Sequence, residues 1–339
     1  MPRVVYLDPL WAIDTEGRVD PALAAIEREA LGADVALVLG ELDERGVFAR
    51  SGPVAEALVR GADALVISRA QITPELLASA GPQCRVIGRL GVGYDNLNVP
   101  LLRERGIFGF NVPDYCVDEV STHALALVLA LERRLGELDR AIKSGTWNTY
   151  AGPAPRRLSD ATIGIVGFGT IGRAFARKAQ ALFGTVAAYD PYVHADLMAG
   201  FGVKKLDSIG ALFAAADAVS IHALLSDETR GLIDAAILAA ARPGTLLVNT
   251  ARGDIVVPSA VLAALRSGRL AGYGSDVFAP EDPNLDPDNR ALLALANVIV
   301  TPHSAFRSAA SERSQRARVA QTIARVLTTG EPPRFGRLA

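Results

Sequence analysis

Three apolar, strand-like runs in the second half of the chain each end in a short polar signature: Asn249-Thr-Ala-Arg-Gly-Asp, Asp276-Val-Phe-Ala-Pro-Glu-Asp-Pro and Thr301-Pro-His-Ser-Ala. They bring Arg252, Glu281 and His303 to strand ends, where ligands bind in doubly wound sheets. A histidine takes or gives a proton near neutrality. A carboxylate on its other ring nitrogen fixes the tautomer and favours the imidazolium. An arginine stays charged and offers a fork of donors that matches a carboxylate or a polarised carbonyl. Together these groups suit proton-coupled hydride transfer at a hydroxy-bearing carbon, in either direction. Singly, each has a plain reading: Arg252 as a surface charge, Glu281 as a turn acid before Asp-Pro, His303 as a loop residue after Thr-Pro. Their shared placement at strand ends, beside a nucleotide motif, favours the chemical reading.

That motif is Gly167-x-Gly169-x-x-Gly172, directly after the apolar run Ile163-Gly-Ile-Val and directly before a helical segment. Gly167 permits a tight turn, Gly169 lets the backbone approach a pyrophosphate, and Gly172 allows helix and strand to pack closely, with the phosphates on the helix amino terminus. The following strand ends in Ala-Ala-Tyr-Asp-Pro, so Asp190 stands where a carboxylate accepts hydrogen bonds from ribose hydroxyls and repels a 2′-phosphate. No lysine or arginine follows until Lys204. The cofactor expected is therefore NAD. The plain alternative for Asp190 is a turn-forming Asp-Pro cap. Among the other histidines, His222 ends a strand and is a candidate cofactor contact. His123 reads as a packing or interdomain residue of a helix, and His194 as solvated.

The elements that must position these groups alternate, with β-branched apolar runs separated by amphipathic segments, so the fold class is α/β with doubly wound, Rossmann-like parallel sheets. In the first hundred residues the expected strands are Val4–Leu7, Val35–Leu39, Ala64–Ser68 and Val86–Arg89. A long helix is expected over Val117–Leu135, a loop over residues 151–157, and then six strands at Thr162–Val166, Val186–Tyr189, Ala218–Ile221, Thr245–Asn249, Leu270–Ser275 and Val298–Thr301. A helix from Ser308 to about Thr328 closes the chain.

The bulk properties narrow the class. At 339 residues the chain exceeds one usual domain, so two are expected. A formal charge of −2 and 50% apolar residues describe a soluble globular protein without a nucleic-acid footprint. Cys84 and Cys116 form neither a disulfide framework nor a zinc-like cluster, so two inert thiols, no metal and a cytoplasmic setting are expected. The amino terminus reads as a first strand, not a signal peptide, and the apolar stretch Ala124–Leu131 is too short to cross a bilayer.

Over nearly its whole length the chain resembles the D-isomer-specific 2-hydroxyacid dehydrogenase family. The resemblance is carried by Gly91-Val-Gly-Tyr-Asp-Asn, Asn111-Val-Pro-Asp-Tyr-Cys-Val-Asp-Glu-Val, Gly167-Phe-Gly-Thr-Ile-Gly-Arg, Asp227-Glu-Thr-Arg, Asn249-Thr-Ala-Arg-Gly and Thr301-Pro-His-Ser-Ala. The second stretch is most similar to the branch of the C-terminal-binding-protein corepressors. The resemblance implies Arg252 as the substrate-orienting arginine, His303 as acid/base and Glu281 as its partner. It adds backbone amides of Val92 and Gly93 for the substrate carboxylate, Asp276 for the nicotinamide amide, Thr170 and Ile171 along the pyrophosphate, and Thr229, Thr250 and Ala251 as cofactor contacts. It implies a substrate domain of residues 1–109 and 306–339 interrupted by an NAD-binding domain of residues 110–305. It also implies a homodimer formed through the latter, with the helix at Val117–Leu135 involved.

The chain departs from the family at Leu224, at Val256-Val257-Pro258, which changes the start of a nearby helix, and at Phe306-Arg307. Arg69 and Arg307 are candidates for a second anionic group of the substrate, or else surface charges. The leading expectation is an NAD-dependent enzyme acting on a small anionic 2-ketoacid or D-2-hydroxyacid, with neither nucleic acid nor membrane as partner. The alternatives are an NAD(H)-sensing corepressor-like binding protein, disfavoured by the intact Arg252, Glu281 and His303, and phosphite-type oxidation on the same fold. Residues 306–339 are too few for the regulatory domain of long phosphoglycerate dehydrogenases, so feedback control of that kind is not expected.

Overall fold

The computed structural model describes all of residues 1–339. The chain forms two compact units, Met1–Tyr115 with Ser308–Ala339, and Cys116–Arg307. The breaks thus fall after Tyr115 and Arg307, later than the 109/110 and 305/306 positions expected. The reason is local: Phe108–Phe110 is a strand of the first unit, and the terminal helix starts only at Ala309.

In the first unit, β1 (Arg3–Tyr6), β2 (Ala36–Leu39), β3 (Ala64–Ile67), β4 (Val86–Arg89) and β5 (Phe108–Phe110) form a parallel sheet in the order β2-β1-β3-β4-β5. Both faces are covered, as continuous apolar strands require. Ala55, Val59, Leu76, Leu77 and Leu102 from the intervening helices cover one face, and Leu31, Val319, Ala320, Ile323 and Val326 cover the other. The terminal helix Ala309–Thr329 opens on a reciprocal cap between Ser308 and Ser311 and stops at Gly330, which takes the left-handed φ of 72°. Strand β5 was not anticipated: three residues, Phe-Gly-Phe, are too few for a periodic signal.

The second unit carries a seven-stranded sheet, not six. Its strands are β6 (Thr162–Val166), β7 (Thr185–Tyr189), β8 (Lys204–Lys205), β9 (Ala218–Ile221), β10 (Thr245–Asn249), β11 (Leu270–Ser275) and β12 (Val298–Val300), in the order β12-β11-β10-β9-β6-β7-β8. The extra strand is a two-lysine edge, which no hydrophobic pattern could reveal. Chain order reverses between β6 and β9, the switch point at which such sheets bind ligands. The helix expected over Val117–Leu135 ends at Glu132. Arg134 turns the chain in the left-handed region (φ 53°), and a second, unanticipated helix runs over Leu135–Lys143. No helix is long and apolar enough to cross a membrane.

Candidate functional site

Strand β6 delivers the chain into the glycine loop. Gly167 sits at φ 89°, and a Cβ there would lie 2.6 Å from the Ala223 nitrogen. At Gly172 a Cβ would lie 2.2 Å from the Gly167 carbonyl oxygen, so the helix Thr170–Ala179 is seated directly on the turn. Gly169 differs: nothing stands within 4 Å of its missing Cβ, and it caps that helix where backbone amides and the helix dipole favour an anion. Thr170 and Ile171 are the first two helical residues.

Asp190, at the end of β7, is half-buried and serves the loop as well as any ligand. Its Oδ2 accepts from the Phe168 amide at 2.8 Å and its Oδ1 from the Tyr192 amide at 2.9 Å. Asp190 therefore forms the turn, and each of its carboxylate oxygens keeps a free lone pair. His222 follows β9. Its Nε2 lies 2.9 Å from Ser220 Oγ, its ring packs at 4.9 Å on Phe175, and desolvation pushes its pKa down to about 3. It is a neutral wall of the glycine loop. Thr229 spends its hydroxyl inside a turn, donating to the Leu224 carbonyl at 2.6 Å and accepting from the Ser226 amide at 2.8 Å.

Beyond β10 the loop of Arg252 is braced by Asn249, which is fully buried. Its Nδ2 donates to the Arg252 carbonyl at 2.9 Å, and its Oδ1 accepts from the Ala251 amide at 3.0 Å. The Ala251 carbonyl in turn accepts from Arg252 Nη1 at 2.9 Å, so both backbone polar groups of Ala251 are engaged within the loop. Thr250, only 8% exposed, has a buried hydroxyl with no protein partner. Orphaned polar groups of this kind are costly unless a ligand or water meets them. A dinucleotide suits this set: an open glycine, a free helix amino terminus, an acid at the second strand end and a waiting hydroxyl.

Gly253 carries the next link. A Cβ on it would stand 2.1 Å from the Phe278 carbonyl carbon, so the Arg252 loop lies directly against the segment that leads to Glu281. Asn289, 2% exposed, anchors that segment by donating to the Ala279 carbonyl at 3.1 Å. Glu281 Oε1 then lies 2.9 Å from His303 Nδ1. The carboxylate accepts, so Nδ1 carries the hydrogen and Nε2 is left for exchange with another partner.

Asp276, 1% exposed at the end of β11, fixes the His303 loop. Its Oδ1 accepts from the Ser304 amide and its Oδ2 from the Ala305 amide, each at 2.9 Å, while its carbonyl accepts from the His303 amide at 2.8 Å. His303 itself adopts φ 54°, a conformation that non-glycine residues hold only where surroundings over-determine it. His123 places Nε2 2.9 Å from Thr301 Oγ1, within the same unit. His194 is exposed, as solvation requires, and Arg307 is exposed too.

In the first unit, the loops after β3 and β4 carry Arg69, Val92 and Gly93. Asp8, just past β1, is 1% exposed and accepts from the amides of Ser68, Arg69 and Ala70 at 2.7, 2.6 and 2.9 Å. Burial nevertheless raises its pKa. Arg89 ends β4 and is buried, with its Nη1 1.1 Å from where a Cβ on Gly91 would stand, so the guanidinium lies across the Gly91 backbone. Val92 is held through its carbonyl, which accepts from Asn111 Nδ2 at 2.5 Å.

The bracing roles of Asn249, Asp8 and Arg89 and the link from His123 to Thr301 were not among the expectations. For the first three a signal was present, a polar residue closing an apolar strand, which must be paired when buried. The fourth joins residues 178 positions apart and left none. No group of three or more His, Cys, Asp or Glu is placed to hold a metal, and both cysteines are free and buried.

Residues 125–305 match the family described as D-isomer specific 2-hydroxyacid dehydrogenase, NAD binding domain. The chain is 37% identical over 287 residues to an (S)-sulfolactate dehydrogenase of Chromohalobacter salexigens, covering 84% of this chain and 88% of that protein. It is 35% identical over 277 residues to a D-3-phosphoglycerate dehydrogenase of Mycobacterium tuberculosis, covering 81% of this chain and 51% of the relative. The chain thus spans about half the length of the phosphoglycerate dehydrogenases it matches. A D-lactate dehydrogenase from Aquifex aeolicus, solved with NAD and lactic acid, superposes with a TM-score of 0.83 at 25% identity over 97% of this chain and 96% of that one.

Proposed function

The chain belongs to the D-isomer-specific 2-hydroxyacid dehydrogenase family, and from that premise we propose that it is an NAD-dependent enzyme interconverting a small anionic 2-ketoacid and its D-2-hydroxyacid. The observation that carries this reading is the pair of His303 Nδ1 and Glu281 Oε1 at 2.9 Å, with the segment leading to Glu281 lying against the loop that bears Arg252. NAD, when bound, supplies or accepts the hydride. Gly169, Thr170 and Ile171 would hold its pyrophosphate, Asp190 its ribose, and Thr250 and Asp276 its nicotinamide half, with Gly167, Gly172 and His222 shaping the wall and Ala251 and Thr229 acting through their loops.

In the reducing direction Arg252 orients the ketoacid and polarises its carbonyl. His303 gives the Nε2 proton to the carbonyl oxygen as the carbon gains hydride, and Glu281 stabilises the imidazolium before that transfer. In the oxidising direction the same nitrogen takes the hydroxyl proton. Val92 and Gly93 offer amides to the substrate carboxylate. Arg69, whose backbone is locked by Asp8, receives a second anionic group on dianionic substrates. Residues 135–150 leave Leu135, Ile142, Trp147 and Tyr150 at 56, 50, 86 and 91% exposure, apolar surface that a homodimer would cover. Two free buried thiols fit a cytoplasmic setting.

Replacing His303 by Gln is expected to lower kcat by about 10²–10⁴-fold while NADH affinity, measured by fluorescence titration, stays within about threefold. A fully active His303→Gln protein overturns the acid/base assignment. A screen of NADH oxidation with glyoxylate, hydroxypyruvate, pyruvate, phenylpyruvate and dianionic ketoacids identifies the substrate.

A further inference from the structure

The side chains that hold the His303 loop do not end at Asp276. Thr301 Oγ1 donates to Asp276 Oδ1 at 2.5 Å, and His123 Nε2 lies 2.9 Å from the same Thr301 oxygen. A threonine hydroxyl has one proton. Because that proton goes to Asp276, Thr301 accepts from His123, and Nε2 of His123 must carry the hydrogen. The result is a one-way chain, His123 Nε2–H to Thr301 Oγ1–H to Asp276 Oδ1, in which each bond polarises the next. Asp276 passes the constraint on, since its carboxylate binds the amides of Ser304 and Ala305 and its carbonyl binds that of His303. At the end stands a histidine backbone at φ 54°.

We propose that His123 is a positioning residue of the hydride-transfer site, acting from the helix Val117–Glu132 through Thr301 and Asp276 to keep the His303 backbone in its left-handed conformation. This rests on the reading of His303 as the acid/base group. Volume alone does not explain the residue. A helix side chain that only fills space has no need of a hydroxyl partner, and the His123 side chain, 25% exposed, is not walled into an apolar core. A ring aimed at Thr301, with its proton fixed by the partner's own bond, is placed for direction. Tight placement matters because small displacements of an acid/base group cost large factors in rate.

The test compares His123→Leu, which keeps bulk but loses the donor, with His123→Gln, whose amide nitrogen reaches a similar position. With NADH and hydroxypyruvate or glyoxylate, His123→Leu is expected to lower kcat at least about tenfold with KM for NADH nearly unchanged, and His123→Gln to recover most of the loss. Thr301→Val should lower kcat similarly, and adding His123→Leu to it should cost little more, as for two members of one chain. Unchanged kcat in His123→Leu, or losses that multiply in the double variant, overturns the proposal. If His123→Leu does not fold, Thr301→Val against His123→Gln carries the same comparison. A nitrogen-detected NMR spectrum separates this proposal from the reading beneath it. Whether or not any ketoacid is turned over, the His123 ring must be hydrogenated at Nε2, and the His303 ring signals must shift in His123→Leu but not in His123→Gln. Unmoved His303 signals overturn the positioning role, whereas a wild type inactive on every 2-ketoacid overturns only the enzyme reading.

Discussion

Two loops at the strand ends of the second unit are made by opposite means. The glycine loop is shaped by what is missing: Cβ atoms at Gly167 or Gly172 would stand 2.6 and 2.2 Å from backbone atoms, so the turn closes by removing side chains. The His303 loop is shaped by what has been added. A carboxylate buried to 1% exposure binds two backbone amides and a hydroxyl, and bends a histidine to φ 54°. A loop built by subtraction leaves room beside the backbone; a loop built by a clamp holds one side chain in place. Each loop also has a histidine, but only His303 has a carboxylate at hydrogen-bond distance, while His222 has Ser220 and an aromatic ring.

Removing the clamp should produce the largest effect and should split the two loops. Asp276→Ala leaves the amides of Ser304 and Ala305 and the Thr301 hydroxyl without their acceptor, at a cost of about 3 kcal/mol in stability. It should lower kcat about a hundredfold because His303 is no longer held. NADH affinity rests mainly on the other loop and should fall less than about tenfold. The comparison breaks if fluorescence titration finds NADH binding lost as severely as turnover, for then the two loops act as one.

The two histidines give a second contrast, in pH. Desolvation holds His222 at about 3 against an ordinary 6.5, so the folded state keeps it neutral while the unfolded chain binds a proton below 6.5. Its contribution to stability is therefore complete above pH 6.5 and is lost as pH falls toward 3. At about 1.4 kcal/mol per unit, wild type should lose roughly 2 kcal/mol between pH 7 and 5 relative to a His222→Asn protein, measured by urea unfolding at both values. Equal losses in the two proteins would show that the ring is charged, or hydrated, in the fold.

The same division explains what the sequence could disclose. Subtraction writes itself locally: three glycines between a strand and a helix, and an acid at the next strand end, stand within one short stretch, so Gly167, Gly169, Gly172 and Asp190 were readable. Arg252, Glu281 and His303 stood out in the same way, because each lies in the short polar signature that follows an apolar strand. Clamping is written at a distance. Asp276 opens one of the strand-end signatures, yet its grip on Ser304 and Ala305 spans 28 and 29 positions, and His123 reaches Thr301 across 178. The strands that escaped notice, Phe108–Phe110 and Lys204–Lys205, are too short to show a period, and their pairing comes from the neighbouring strand. Helical spacing continued past Glu132, but Arg134 turns left-handed and ends the helix, a backbone choice that a charged residue does not announce.

The finest test lies inside the glycine loop itself, where two glycines look alike in sequence and differ in space. Gly172→Ala puts a methyl 2.2 Å from the Gly167 carbonyl oxygen, and the helix must move off the turn, at about 1–3 kcal/mol. Gly169→Ala meets nothing within 4 Å, so its melting temperature should stay close to that of wild type. If the open side of Gly169 is where the pyrophosphate lies, the same methyl should weaken NADH binding about tenfold without touching the fold, because the phosphate can no longer approach the amides at the helix start. Paired thermal melts and NADH titrations on the two variants read this directly. A Gly169→Ala protein that binds NADH as wild type does would place the dinucleotide elsewhere, whereas one that loses stability would show that this glycine, too, is there for packing.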